Sequence, residues 1–346
     1  MTANPLDAIA AAPPEFDEST MRSLLADEYG IRGDLTPLVS ERDQNTRVDA
    51  DTGERFVLKI ANAAEVPVVA DFQVRALQHL ESQGCEVEVP LLVTTTAGDA
   101  VTHFDGASAR HVVRLVTWVD GELLGDASLS LEIVERFGAR LAQLGTALAG
   151  FAHPGDRLGS MWSMQRALQL RPLVELIDDP ELRAAVGAVF DDFELRVLPH
   201  MSELRAQVIH NDANPGNVLV DETRADIKGF IDFGDMVHAP LVVDVAIAAS
   251  YLRALEGDAL QFISPFVAGY HSSRLLAEAE IELLYDMIRT RLATSISFLH
   301  WRLTARGEED AYRQATLASE SSAEIFLSRL NEIGRKTFQE SLVADF

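Results

Sequence analysis

The chain has 346 residues, 47% hydrophobic and 24% charged, which is enough apolar material for two packed domains and excludes wholesale disorder. Its net charge of −25 argues against a nucleic-acid surface and suits a cationic substrate such as an amine. One cysteine, Cys85, excludes a disulfide framework and fits a reducing cytoplasm. We see no signal peptide and no apolar stretch near the roughly 18 residues that span a bilayer, so we expect a cytoplasmic protein without a membrane partner.

The first part of the chain has the pattern of a small sheet with helices. Residues 1–18, rich in alanine, proline and acids, are expected to form a flexible tail. Helices are predicted over 19–29, ending at Gly30, and over 65–83. A strand meander runs from 35 to 60, and further strands are predicted at 87–93, 100–104 and 111–119.

The remainder is mainly helical, because apolar residues recur there every three or four positions. Helices are predicted at 131–151, 163–178, 180–198, 241–254, 258–274, 278–304 and 308–333. Strands first and helices second favour an α+β fold over alternating βαβ units.

Two polar clusters interrupt the apolar runs of residues 207–236. His210, Asp212 and Asn217 form the first, and Asp232 followed by Phe233-Gly234 forms the second. The runs at 208–209, 218–220 and 230–231 are short and apolar, as in buried strands. His-x-Asp with an asparagine five residues after the aspartate, a strand hairpin and then Asp-Phe-Gly is the spacing of the kinase catalytic segments. Each element alone also occurs as an ordinary polar turn, so the combination carries the prediction.

Phosphoryl transfer needs a metal between the phosphates, a positive group beside them and a base for the attacking hydroxyl. Asp212 fits the base. The amide oxygen of Asn217 and the carboxylate of Asp232 are the hard oxygen ligands that Mg²⁺ prefers. His210 is counted with this catalytic loop and is expected to brace it against Phe233 or a backbone carbonyl.

Lys59 lies within an apolar strand of a chain that has only three lysines. Alternation places Lys59 and Val57 on one face of that strand. The lysine either discourages edge-to-edge aggregation or neutralises nucleotide phosphates, and the motifs downstream favour the second role. Val57 would then pack on the base.

The helix predicted over 65–83 is where a kinase places the glutamate that pairs with this lysine. Gln73 falls at that position, with Glu65 and Asp71 as nearby alternatives. Gln73 can accept a hydrogen bond from Lys59 but supplies no charge.

The run His-Asn-Asp-Ala-Asn-Pro-Gly-Asn-Val-Leu-Val at 210–220, then Ile-Asp-Phe-Gly-Asp-Met and Val-Val-Asp-Val-Ala, resembles the aminoglycoside phosphotransferase (choline-kinase-like) family. Ser-Glu-Arg-Asp-Gln-Asn-Thr-Arg-Val at 40–48, then Phe-Val-Leu-Lys-Ile, is similar to its hydroxylysine kinase branch. The resemblance spans roughly residues 30–335. That branch also occurs fused to aminotransferase domains, so an aminotransferase or lyase is a candidate partner enzyme.

This resemblance implies a protein-kinase-like bilobal fold, with a nucleotide-binding N-lobe over 19–117 and a C-lobe over 118–346 that holds the catalytic loop and the acceptor-binding helices. It also implies Mg²⁺, ATP or GTP as donor, and a small hydroxylated acceptor that carries an amine. The absence of a glycine loop and of an Ala-Pro-Glu segment moves the prediction away from protein kinases.

The resemblance also assigns residues beyond the catalytic motifs. Asp244 would be a buried carboxylate that anchors the catalytic loop. Three residues would lie over the phosphates in place of glycines, namely Asp43, Gln44 and Asn45.

For the acceptor, we expect Asp235 to hold an ammonium group and Arg291 to hold a carboxylate or phosphate, whereas Arg289 is expected on a solvated helix face. An amino acid such as hydroxylysine needs both anchors, an amino alcohol only the first. An aminoglycoside-modifying enzyme and a non-catalytic nucleotide-binding relative remain alternatives. The sequence leaves the oligomeric state open.

Overall fold

The computed structural model describes residues 13–106, 109–158, 161–305, 307–309, 313–314, 317 and 320–344. Residues 1–12 of the predicted tail and most of residues 308–319 in the last predicted helix lie outside this description. The chain forms two compact units. The first comprises the described part of Met1–Gln83 with Val89–Asp120 and His153–Gly155, and the second comprises Gly84–Glu88, Gly121–Ala152 and the described part of Asp156–Phe346.

The first unit is an antiparallel sheet with two helices. Its strands follow the spatial order β1-β2-β3-β6-β4, and β5 also pairs with β6. The strands are β1 (Gly33–Leu38), β2 (Gln44–Ala50), β3 (Arg55–Ile60), β4 (Leu92–Val93), β5 (Thr102–Asp105) and β6 (Arg110–Thr117). The helices are α1 (Glu18–Leu24), continued by a π-helical turn over Leu25–Tyr29, and α2 (Pro67–Gln83).

One face of this sheet is apolar and forms a core with α1. Alternate residues of the central strands, such as Val48 and Leu58, are fully buried against Met21 and Leu24 of the helix. The helical segment ends at Gly30, whose φ of 66° is the left-handed cap that the sequence predicted. Polar side chains therefore collect on the opposite face of the same strands.

Phe16, which falls within the segment predicted to be a tail, contacts this unit. Its ring meets Phe104 and His111 edge to face, with centroids 4.9 and 5.1 Å apart. The side-chain amide of Gln44 accepts from the Phe16 N–H and donates to the Phe16 carbonyl, both at 2.8 Å. The chain preceding α1 is thus fastened to β2.

The strand predicted at 87–93 is wrong in length, because only β4 over Leu92–Val93 pairs with β6. Pro90 has no N–H to donate to a ladder. Upstream of it, Glu88 forms a parallel bridge with Gly229 within the second unit.

The second unit is mainly helical and carries two small sheets. Its strands β7 (Glu122–Leu123), β9 (Val218–Val220) and β10 (Ile227–Phe230) form one antiparallel sheet, and β8 (Ala206–Ile209) pairs with β11 (Val237–Pro240). The α-helices are α3 (Leu131–Ala147), α4 (Pro180–Asp192), α5 (Leu241–Tyr251), α6 (Ile263–Ser273), α7 (Glu278–Ala305) and α8 (Ser322–Ala344).

Three predicted helices of this unit differ from regular α-helix. The helix predicted at 180–198 is α-helical to Asp192 and continues as a π-helical turn over Phe193–Val197. The segment predicted at 163–178 is a 3₁₀ helix over Met164–Leu176, in which Pro172 removes an N–H that an α-helix would need. Helix α8 continues past the predicted end but bends at Gly334, where φ is 75°. A positive φ is easy only for glycine, which explains the residue at the bend.

Helix α5 is buried on all sides, from Leu241 through Ser250. Such a helix is hydrophobic all round except where a polar group has a specific partner, and here the exceptions are Asp244 and Ser250, whose hydroxyl donates to the Ile247 carbonyl. Helices α3 and α6 pack with their backbones close, because Gly138 and Gly269 have no side chain to separate them.

The prediction of an α+β fold, with a sheet-containing N-terminal part and a helical C-terminal part, is confirmed. Among the described residues, no helix has the length and apolarity to cross a membrane.

Gly138→Ala is expected to lower the thermal unfolding midpoint, because the new Cβ would overlap the Phe266 carbonyl of α6. Overpacking of this kind costs about 1–3 kcal/mol. Gly187→Ala in α4 is the matched control, because a Cβ there meets open space and removing a helical glycine gains about 0.5–1 kcal/mol. Calorimetry of both variants checks the packing, and equal midpoints would contradict it.

Candidate active site

The loop after β8 is held by a carboxylate from the buried helix α5. Asp244 is 3% exposed, and its two oxygens accept the backbone N–H groups of His210 and Asn211 at 3.1 and 2.7 Å. Burial raises the pKa of Asp244 to about 6, although these two N–H bonds lower it. Asn211 has a φ of 64°, and its amide donates to the Asp235 carbonyl at 3.0 Å. The chain therefore leaves β8 in a fixed direction.

His210 connects the two polar clusters from the inside. Its Nε2 donates to the Ile231 carbonyl at 3.0 Å, and its Nδ1 accepts the Asp212 N–H at 3.3 Å. Its ring meets Phe233 at a centroid distance of 4.8 Å. Because the Asp212 N–H is a donor, Nδ1 must be the acceptor and the proton resides on Nε2. Burial lowers the pKa of His210, so the neutral imidazole is the form that fits here.

Asp212 lies at the centre of the loop, with 20% of its side chain exposed. The Asn217 amide donates to Asp212 Oδ2 at 2.7 Å, and Arg291 Nη2 donates to Oδ1 at 3.2 Å. Each carboxylate oxygen has two lone pairs, so both retain capacity for a further donor. The structure brings together three of the predicted site residues here.

The pKa of Asp212 is raised, chiefly by burial. The Arg291 guanidinium opposes this shift, whereas the carboxylates of Asp235 and Asp232 add to it. These interactions place Asp232 and Asp235 in the electrostatic surroundings of Asp212. A carboxylate with a raised pKa is a better proton acceptor than an ordinary aspartate.

Asn217 and Asp232 lie at the same end of the β9–β10 hairpin. Ile231 donates its N–H to the Asn217 carbonyl at 2.9 Å, which extends the pairing of Phe230 with Val218 by one residue. Asp232 follows directly with a φ of 58°, which turns the chain out of the strand. These two residues are therefore neighbours although 15 positions separate them in the sequence.

Their donor atoms fit a hard cation. The hydrogen bonds from Asn217 to Asp212 use its amide nitrogen, which leaves the amide oxygen as the ligand atom. Within the described ranges no group of three or more His, Cys, Asp or Glu side chains could hold a metal. One carboxylate and one amide oxygen instead suit Mg²⁺, which keeps waters and phosphate oxygens among its ligands.

Arg291 has surroundings that sequence reasoning missed. Its guanidinium lies over the Trp162 ring at 4.5 Å, and it donates to the Trp162 carbonyl at 3.3 Å and to the Tyr251 hydroxyl at 3.2 Å. Trp162 lies far from the motifs in sequence, and Tyr251 follows the Val-Val-Asp-Val-Ala motif without belonging to it, so only the fold reveals these contacts. Arg291 is thus held rigidly beside Asp212.

The expectation that Arg289 lies on a solvated helix face is wrong. It is 7% exposed and donates to Asp192 at 2.7 Å and to Asn331 at 2.8 Å. Asp192 and Asn331 come from distant parts of the chain, which explains why local helical periodicity did not predict the burial of Arg289. Arg289 is a structural link within the second unit.

In the first unit, Lys59 is the central residue of a polar row across the sheet. It pairs in register with Asn45 on β2 and with Arg114 on β6, so the three side chains share one face. Val57 lies on the same face, as predicted from alternation. Gln44 lies on the opposite face, where Phe16 engages its amide.

Gln73 on α2 contacts this polar row through Arg114, which donates to its amide oxygen at 2.5 Å. The Gln73 amide nitrogen donates to Glu65 at 3.3 Å.

Asp43 lies 4.0 Å from Arg114 and accepts the Asn62 N–H. Asp71, the other alternative on this helix, instead contacts His153 at 2.9 Å.

Comparison with known proteins shows similarity over most of the sequence. Residues 34–281 match the Phosphotransferase enzyme family. The hydroxylysine kinase of Danio rerio is 27% identical over 334 residues, which cover 93% of each chain.

Two solved structures share the fold. A microcompartment-associated aminopropanol kinase superposes with a TM-score of 0.72 and 19% identity, covering 95% of this chain and 98% of its own. An amicoumacin kinase in complex with AMP-PNP, Ca²⁺ and Ami superposes with a TM-score of 0.68 and 17% identity, covering 92% and 98%. The predicted kinase-like fold is confirmed.

His210→Gln is expected to flatten the dependence of the unfolding midpoint on pH. The unfolded chain takes up a proton at this histidine as the pH falls below about 6.5, whereas the folded chain, whose His210 pKa is lowered, does so only at lower pH. Stability carried by the neutral ring is therefore lost in acid. The variant keeps a donor for Ile231 but has no ring to protonate, and it starts from a lower midpoint at neutral pH.

Thermal unfolding between about pH 7.5 and pH 5.5 measures both slopes. The exposed His103→Gln serves as control and should follow the wild type. Parallel slopes for the wild type and His210→Gln would contradict a neutral, buried His210.

Proposed function

This chain belongs to the phosphotransferase enzyme family, which transfers phosphoryl groups to hydroxyls, and we propose that it moves the γ-phosphate of ATP or GTP onto a small amine-bearing acceptor. The single observation that carries the proposal is the contact of Asp212 with both Asn217 and Arg291 on a loop fastened by Asp244. That contact positions the carboxylate, and burial raises its pKa although Arg291 opposes the shift.

In the proposed reaction the acceptor hydroxyl oxygen attacks the γ-phosphorus, and the bond from that phosphorus to the β-bridging oxygen breaks. The nucleoside diphosphate leaves with the electron pair of that bond. Asp212 takes the proton of the hydroxyl. Asn217 and Arg291 keep the Asp212 carboxylate oriented through the transfer.

We assign the metal to Asn217 and Asp232 and the phosphates to Lys59. Mg²⁺, when bound, would neutralise charge on the β- and γ-phosphates. Lys59 would supply a positive charge for the phosphates, and Val57 an apolar surface for the base. Asn45 and Asp43 remain candidates for the loop over the phosphates, whereas Gln44 is engaged by Phe16.

Two charged groups suggest the class of acceptor. Asp235 follows the metal carboxylate and influences Asp212, so it lies near the reacting hydroxyl and suits an ammonium group. Arg291 supplies a positive charge, which suits a carboxylate of the acceptor. An amino acid with a side-chain hydroxyl satisfies both. The similarity to hydroxylysine kinases supports this class over a plain amino alcohol.

The cytoplasm is the setting that we propose, because the free thiol of Cys85 fits a reducing compartment. An aminotransferase or a lyase that consumes a phosphorylated amino alcohol or amino acid would be a natural partner reaction.

Purified protein with Mg²⁺ and ATP or GTP is expected to phosphorylate 5-hydroxylysine and to leave lysine unchanged, because lysine lacks the hydroxyl and keeps both charged groups. Mass spectrometry of the product across hydroxylysine, ethanolamine, choline, homoserine and kanamycin measures the preference.

Removal of divalent metal with a chelator is expected to stop turnover, and Mg²⁺ to restore it. Transfer to kanamycin alone would favour an aminoglycoside-modifying enzyme. Absence of transfer to any of these acceptors, with no Mg²⁺–nucleotide binding, would contradict the proposed function.

A further inference from the structure

Four polar side chains form a connected network on the Lys59 face of the first unit. Arg114 lies between Asp43 on one side and Gln73 on the other, and Gln73 connects Arg114 to Glu65. Arg114 and Gln73 are each 3% exposed. The network therefore extends from the loop before β2, across the sheet, to the turn before α2.

This network reaches Lys59, the residue that we propose contacts the phosphates, through Arg114. Arg114 and Lys59 are directly opposite each other on adjacent antiparallel strands, where Cβ atoms are about 5 Å apart. Two cationic side chains thus occupy one spot on the sheet. Placing them together requires a nearby negative charge, since like charges at that distance repel.

Glu65 is the acidic group that the structure offers on the helix side. Its Oε1 accepts from Gln73, while its Oε2 is buried without a hydrogen-bond partner among the described residues. In the same network, Nη1 of Arg114 is buried and also has no hydrogen-bond partner among the described residues. Burial and the neighbouring Asp43 raise the pKa of Glu65, and Arg114 lowers it. Leaving such atoms unpaired costs stability, so a role in packing does not explain them.

The orientation of the Gln73 amide is fixed by its two neighbours. Its oxygen must face the Arg114 guanidinium, which only donates, and its nitrogen must face a carboxylate, which only accepts. A glutamate at position 73 would satisfy Arg114 but would set two carboxylates against each other. Glutamine is therefore the residue that fits between an arginine and a glutamate.

We propose that the carboxylate that positions the nucleotide-binding cations is supplied by Glu65, in the turn before α2, and that Gln73 passes its hydrogen bond to Arg114 beside Lys59. Glu65, Gln73 and Arg114 are positioning residues, because they act through Lys59 on the nucleotide. This inference rests on the proposed function and names the residues that tune its nucleotide site. Asp43 ties the loop before β2 to the same arginine.

Glu65→Gln separates the charge of Glu65 from its hydrogen bond. The variant keeps an oxygen for the Gln73 amide and removes only the buried negative charge, so the unfolding midpoint should hold or rise. The dissociation constant for Mg²⁺–nucleotide, from calorimetric titration, should rise roughly tenfold. Glu81→Gln on the exposed face of α2 is the matched control and should change neither quantity. An unchanged dissociation constant for Glu65→Gln would overturn the proposal.

A swap of the two residues provides the second test. Gln73→Glu alone should weaken nucleotide binding, because two carboxylates meet. The double variant Glu65→Gln/Gln73→Glu should bind more tightly than Gln73→Glu. In the double variant the carboxylate introduced at position 73 accepts from Arg114, and the amide introduced at position 65 donates to that carboxylate. A double variant no better than Gln73→Glu would count against the relay.

Different results would contradict the proposed function and the positioning role of Glu65. If the wild type binds Mg²⁺–nucleotide and turns over but the Glu65 and Gln73 variants bind as it does, only this inference fails. If the wild type does not bind Mg²⁺–nucleotide, the proposed function fails and this inference falls with it.

Discussion

The carboxylate of Asp244, on the buried and mostly apolar helix α5, is the constraint on which the candidate site depends. Its two oxygens accept the N–H groups of His210 and Asn211, and so fix the chain where it leaves β8. Burying an ionised carboxylate is costly unless donors surround it, and here backbone groups that are themselves buried supply them. The positive φ of Asn211, the bonds of the His210 ring and the position of Asp212 all follow from that anchor.

Charge balance around Asp212 follows the same logic. A buried ion pair contributes little net stability, because desolvation offsets much of the attraction between its members. The contact between Arg291 and Asp212 is therefore better understood as orientation than as a source of stability. Trp162 and Tyr251 hold the guanidinium from its other sides, which limits the directions in which it can donate. The first unit uses a comparable arrangement, in which the Gln73 amide is held between Arg114 and Glu65.

Much of this was accessible from the sequence, because local rules decide it. Strand alternation placed Lys59 and Val57 on one face, and the motif spacing identified Asp212, Asn217 and Asp232 as one group.

Contacts between distant segments could not be predicted from the sequence. Arg289 was predicted to be solvated because its partners Asp192 and Asn331 lie far away in sequence. Gln44 was predicted to lie over the phosphates because no local pattern indicates its contact with Phe16. The 3₁₀ helix over Met164–Leu176 was predicted as an ordinary helix, since apolar spacing alone does not distinguish the two.

Rapid-quench measurement of a single turnover in Asp212→Asn tests whether Asp212 is the base. If Asp212 accepts the proton of the acceptor hydroxyl, the rate of phosphoryl transfer from Mg²⁺–nucleotide should fall by about 10²–10⁴-fold. The nucleotide dissociation constant and the unfolding midpoint should stay close to those of the wild type. Transfer at an undiminished rate, or a loss explained entirely by weaker nucleotide binding, would contradict the assignment of Asp212 as the base.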